Sequence, residues 1–178
     1  MTDEIIILPY SPLWPILFEQ EAEWLRNTLP YDLPLDIEHI GSTAIPGMEA
    51  KPVIDILVSV SSMDRARGAR KLMEGLDYVL RADEPEHLNF VKGLPGPRTH
   101  HVHFRPREDA YWDHILFRDY LRTHLSDADA YVALKRELAA RFRDDRPAYV
   151  DGKTEFVKAI LEKAQAEIHA RRWDDDDD

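Results

Sequence analysis

The stretch Pro52-Val53-Ile54-Asp55-Ile56-Leu57-Val58 constrains the fold more than any other part of the chain. It is β-branched and apolar on both faces, the pattern of a strand covered on both sides, and one carboxylate interrupts it. An acid in such a strand is costly unless it is paired, hydrogen-bonded or bound to metal. Asp55 is therefore either a functional carboxylate or an acid near the strand's end, solvated or capping a neighbouring turn. Buried ionisable groups cluster at functional sites, which favours the first reading.

The segments around this strand fit an α/β (α+β) protein, a small mixed sheet with flanking helices and a helical C-terminal half. Ser11–Leu29 reads as an amphipathic helix with Trp14, Leu17, Phe18, Leu25 and Leu29 near helical spacing. Pro30 and Pro34 close it, and Leu35–Ile40 is a short strand ending in the turn Gly41-Ser42-Thr43. Met63–Leu76 follows the Asp55 strand as a helix, then strands at Tyr78–Arg81, His87–Lys92 and Thr99–Arg105. Helical periodicity then runs over Ala110–His124, a second helix capped by Ser126, and Thr154–Arg171. There is no internal repeat and no long linker, so residues 1–172 are read as a single domain and 173–178 as a solvated acidic tail.

Composition narrows the function. The net charge of −11 argues against broad nucleic-acid binding, although five of the 34 carboxylate residues lie in the terminal run Asp174–Asp178. A local basic pocket stays open. No apolar run approaches the ~20 residues of a membrane span, and the start MTDEIIILPY lacks the pattern of a secretion signal. The expectation is a cytoplasmic protein without membrane partners. With no cysteine, metal chemistry falls to histidine and carboxylate.

Three further elements can carry chemistry beside Asp55. A Gly-Ser-Thr turn after a strand presents backbone N–H groups and hydroxyls to an anion, although such turns are common. In His100-His101-Val102-His103-Phe104 the strand period puts His101 and His103 on one face. Two imidazoles there suit a metal or an anion, or are simply satisfied within the fold. His114, Arg118 and Arg122 form a column at i, i+4 and i+8, either a solvated face or a partly buried stripe facing phosphate.

The runs Glu38-His39-Ile40-Gly41-Ser42-Thr43-Ala44-Ile45-Pro46-Gly47 and Lys51-Pro52-Val53-Ile54-Asp55-Ile56 resemble the GrpB family of nucleotidyltransferase-like proteins. Trp14-Pro15, the His-His-Val-His strand, Phe117-Arg118-Asp119-Tyr120-Leu121-Arg122 and the stretch Tyr149, Lys153, Phe156 fit the same family. The resemblance implies a Gly-Ser turn holding a nucleoside triphosphate and strand carboxylates binding Mg²⁺ for attack on phosphate. Gly41 and Ser42 match that turn, and Asp55 matches the first carboxylate. Fusion of some relatives to dephospho-CoA kinase implies a link to coenzyme A metabolism.

Where the superfamily pattern places a second carboxylate, two residues after the first, this chain has Leu57. One carboxylate with two imidazoles suits Mn²⁺, Zn²⁺ or Fe²⁺ better than Mg²⁺, which prefers oxygen ligands. The expected site thus combines Asp55, His101 and His103 around one divalent metal. Gly41, Ser42, Thr43, Arg118, Arg122 and Lys153 are expected to hold the phosphate, with Asp55 and Ser42 as the catalytic residues. The expected ligand is a nucleotide or a related small phosphorylated molecule. A non-catalytic nucleotide-sensing or interaction module on the same fold is the alternative that Leu57 favours.

Overall fold

The computed structural model of the chain describes residues 4–107 and 109–175. Helix α1, Leu13–Thr28, leads into strand β1, Pro34–Ile40, and a 3-10 turn at Ser42–Ala44. Strand β2 is Ile54–Val60, followed by the short helices α2, Met63–Gly68, and α3, Arg70–Gly75. Strands β3, Tyr78–Glu84, β4, His87–Lys92, and β5, His100–Pro106, complete a five-stranded sheet of order β1-β2-β5-β4-β3. The β2–β5 pair is parallel and the other pairs are antiparallel, so the sheet is mixed. Helices α4, Asp109–Thr123, α5, Leu125–Arg141, α6, Arg146–Asp151, and α7, Thr154–Asp175, form the C-terminal half.

The period-2 pattern of β2 divides the molecule. Ile54, Ile56, Val58 and Val60 point into the main core, where they meet Trp14, Phe18, Ala22 and Leu25 of α1 and Phe90, Val102 and Phe104 of the neighbouring strands. Each such buried side chain contributes about 1.5–3 kcal/mol, which fixes the strand register against a one-residue slip. That register sends Asp55 and Leu57 to the opposite face. There Leu57 packs with Ile40 of β1 and Ile115 of α4. A second apolar cluster joins Tyr120 and Leu121 of α4 to Tyr131 of α5 and Ile160 of α7, and roofs this face.

Several boundaries differ from the sequence expectation for local reasons. The segment Met63–Leu76 is two helices meeting at Ala69, directly after Gly68, a poor helix former. Ser126 lies inside α5, whose N-cap position is His124 with no side-chain cap bond. Helix α6 is absent from the sequence expectation; six residues are too few to show a period, yet Asp145 caps it through the Ala148 N–H at 3.1 Å and Pro147 lies in its first turn. Helix α7 continues to Asp175, so it takes in residues 173–175, which the sequence reading gave to the acidic tail. Residues 176–178 lie outside the described residues. Among the described residues no helix is long and apolar enough to cross a membrane.

Candidate functional site

At the end of β1 the chain turns through Gly41, with φ 70° and ψ −172°. That backbone region is essentially closed to other residues. The turn brings the Gly41 backbone against Asp55, where an added Cβ would stand 2.5 Å from Asp55 Oδ2. Asp55 is registered between Ile40 of β1 and His101 of β5. Its Oδ1 accepts a hydrogen bond from His101 Nδ1 at 2.9 Å. Burial alone would raise this carboxyl, but the His101 hydrogen bond and the electrostatics of His101, His103 and Lys51 hold it well below the usual carboxylate range.

His103 lies one alternation further along β5, and its Nδ1 meets His87 Nε2 at 2.9 Å. Burial depresses His103 to about 3, and burial with the nearby Arg105 charge depresses His114 to about 4. Both rings are neutral near pH 7 and keep the lone pair a metal needs. Asp55, His101 and His103 each offer a donor atom, and these atoms lie within 4.8 Å of one another. His101 Nε2 is buried without a hydrogen-bond partner, an arrangement costly unless something fills it. An anionic oxygen and two imidazole nitrogens suit a borderline divalent cation, so the donor set fits the expected metal.

The cluster opens into a cavity of about 1030 Å³ lined by six basic side chains: Lys51, Arg98, Arg105, Lys135, Arg146 and Lys153. Lys135, on α5, is 2% exposed. It donates to Ser42 Oγ at 2.9 Å and to the Glu49 carbonyl, and stands 4.7 Å from the Tyr131 ring centre. Burial pushes its ammonium down to about 7, with the Lys153 charge adding to the effect against Glu49. Lys51 and Lys153 both sit 4.7 Å from the centre of the buried Tyr149 ring. Burial lowers Lys153 as well. Asp55, Asp113, Asp144 and Asp151 line the same cavity, and the basic residues outnumber them, a balance that suits an anion.

The expected phosphate residues separate in the structure. Gly41, Ser42, Thr43 and Lys153 line the cavity. The Thr43 hydroxyl, however, donates to the Val53 carbonyl at 3.2 Å and meets His39 Nε2 at 3.0 Å, so it anchors the turn. Arg118 and Arg122, expected to hold phosphate, are not among the cavity-lining residues. Arg118 donates to the His39 carbonyl at 2.9 Å and to Glu38 and Asp119, both at 2.7 Å. Arg122 donates twice to the Ala44 carbonyl, at 3.1 and 2.8 Å. β1 is an edge strand, and these guanidinium groups satisfy carbonyls at its end and in the turn beyond. They brace the site from outside.

Two of the other basic residues that line the cavity carry readable signals. Arg105 continues the alternation of His101 and His103 along β5, and Lys135 interrupts the apolar stripe of Tyr131 and Leu138 on α5. Arg146 and Tyr149 arrive on α6, and Arg98 on the loop before β5, without any periodic mark.

Comparison with known proteins agrees with the motif. A UPF0157 protein of Pseudomonas aeruginosa is 45% identical over 172 residues, covering 92% of this chain and 69% of that protein. The crystal structure of conserved protein GrpB from Enterococcus faecalis superposes with a TM-score of 0.83 at 34% identity, over 92% of this chain and 99% of that one. A protein of Mycolicibacterium paratuberculosis named dephospho-CoA kinase is 27% identical, and the match takes in 94% of this chain but 46% of that protein. The model of the family described as GrpB protein matches residues 4–163, and the chain belongs to the GrpB family.

Proposed function

We propose that this chain binds a nucleotide or a related phosphorylated small molecule in the cavity beside Asp55 and acts on it with a divalent metal. The observation that carries the reading is charge: six basic side chains against four carboxylates line one cavity of a chain whose net charge is −11. Such a cavity selects a compact, highly charged anion and disfavours a long polyanion, which needs a basic outer face. Lys51, Lys135 and Lys153 form the counter-charge for phosphate, and Ser42 adds a hydroxyl beside them. Asp55, His101 and His103 are the residues that would hold Mn²⁺, Zn²⁺ or Fe²⁺ beside it. A metal there supplies charge neutralisation at a phosphate oxygen, the main demand of phosphoryl or nucleotidyl transfer. The Gly41-Ser42 turn beside Asp55 supports a nucleotidyltransferase-like relationship, and a cytoplasmic setting suits such a ligand.

The name of the Mycolicibacterium relative supports a coenzyme A-type ligand, a phosphorylated adenine nucleotide, as one member of this class. A second reading, a nucleotide-sensing module without transfer chemistry, is favoured by one residue. Leu57 is fully buried between Ile40 and Ile115 where a second carboxylate would stand. The two readings part on Asp55→Asn, which keeps the shape and removes the charge. Protein purified without chelators is assayed for bound metal, for ATP and dephospho-CoA binding by calorimetry, and for turnover of each. The enzyme reading expects the variant to fold, lose its metal and lose turnover. Nucleotide binding without turnover in the metal-loaded wild type selects the sensing module, and absence of any nucleotide binding overturns both.

A further inference from the structure

We propose that His87 is the positioning residue of the metal centre: through its bond to His103 it fixes which ring nitrogen His103 turns toward Asp55 and His101. The proposal rests on the metal reading above and adds a role for a residue outside that cluster. His87 opens β4, opposite Glu84 across the β3–β4 hairpin. Its side chain is 16% exposed.

The geometry is that of an end-to-end hydrogen bond. His87 Nε2 and His103 Nδ1 are 2.9 Å apart. The two rings are tilted by only 13°, with centroids 5.2 Å apart. That separation is what two nearly coplanar imidazoles give when joined nitrogen to nitrogen along the line of their centres. The rings therefore meet edge to edge, with the bond close to linear.

The direction of the proton follows from the other end of His87. Its Nδ1 lies 3.8 Å from Glu84 Oε2. A carboxylate on that side favours the tautomer with the proton on His87 Nδ1, which leaves Nε2 as an acceptor. His103 then donates through Nδ1–H and keeps its lone pair on Nε2. His103 thus has Nδ1 tied by a neighbour and Nε2 left to act. Partners of this kind raise the basicity of a ligating ring and hold it in one orientation, and removing one typically weakens metal binding by 10–100-fold.

The test compares wild type, His87→Ala, His87→Gln and Asp55→Asn. Zinc alone is the probe, titrated by calorimetry, with thermal melting to verify that each variant is folded. The expected result is a loss of about 10–100-fold in zinc affinity for His87→Ala, with most of it restored in His87→Gln, whose side-chain oxygen can accept the same bond. Nitrogen-15 NMR of the metal-free wild type should show His103 protonated at Nδ1, shifting toward the Nε2–H form in His87→Ala. Unchanged zinc affinity in His87→Ala, or His103 protonated at Nε2 in the wild type, overturns the role of His87 alone. If wild type binds no zinc and Asp55→Asn matches it, the metal reading itself falls and takes this role with it.

Discussion

Gly41 and Asp55 occupy one another's space: the Asp55 carboxylate fills the position that a side chain at residue 41 would need. A Cβ there would lie 2.5 Å from Oδ2 and 3.2 Å from the carboxyl carbon. The glycine is thus required twice, by its φ of 70° with extended ψ and by the carboxylate packed against it.

Gly41→Ala should therefore damage the site as well as the fold. Strain in this backbone region costs about 1–3 kcal/mol, and each kcal/mol lowers the melting temperature of a domain this size by about 2–4 °C. The displaced carboxylate should also release its bond to His101, with a loss of zinc affinity beyond what the melting shift explains. A variant that melts with the wild type and binds zinc equally would show that the turn relaxes freely and that the close approach is incidental.

The arginine column leads to a contrast between two basic residues. Arg122 holds the Ala44 carbonyl with two bonds, whereas Lys153 lines the cavity. Arg122→Ala should lower stability by about 1–3 kcal/mol, the cost of leaving a part-buried carbonyl without its donor. Its affinity for ATP, measured well below the melting point, should stay near wild type. Lys153→Met should behave in reverse, with little loss of stability, weaker ATP binding and a shallower dependence of affinity on salt. If Arg122→Ala loses as much affinity as Lys153→Met while still folded, Arg122 belongs to the binding site after all.

How much of this was legible in the sequence depends on what each residue interrupts. Asp55 stood out because it is the lone charge in an apolar strand, and His101 with His103 because a strand's period is two. The same test applied to α5 picks out Lys135, four residues after Tyr131 and three before Leu138 on a buried face. Spacing alone says less at Arg118 and Arg122. It puts both on one side of a helix but carries no information about which backbone carbonyls that side meets. Those carbonyls belong to β1 and its turn, about 80 residues away in sequence. Arg98, Arg146 and Tyr149 come from a loop and a single-turn helix, where no periodicity exists to read. The strand order, with β5 inserted between β2 and β4, is likewise a long-range fact.

The last prediction concerns pH and rests on Lys135. Burial and the neighbouring lysines depress its ammonium to about 7, against 10.5 for an ordinary lysine. Between those values the unfolded chain binds a proton at this position that the folded chain has released. Stability must then rise with pH across the window from about 7 to 10.5, and the charged form weighs on the fold below it. An anion seated beside Lys135 and Ser42 offsets the burial by pairing with the ammonium, so binding takes up a proton and weakens as pH climbs above 7. Calorimetry of ATP binding at pH 8, in two buffers of different ionisation heat, should register that uptake, and affinity should fall by up to about tenfold per pH unit. Lys135→Met supplies the comparison, because every other titrating group, Lys153 included, is present in both proteins. The variant should show a flatter rise of stability between pH 7 and 9, weaker ATP binding and reduced proton uptake. Parallel stability profiles together with equal proton uptake would mean that Lys135 stays charged through this range and that its contacts with Ser42 and Glu49 are structural.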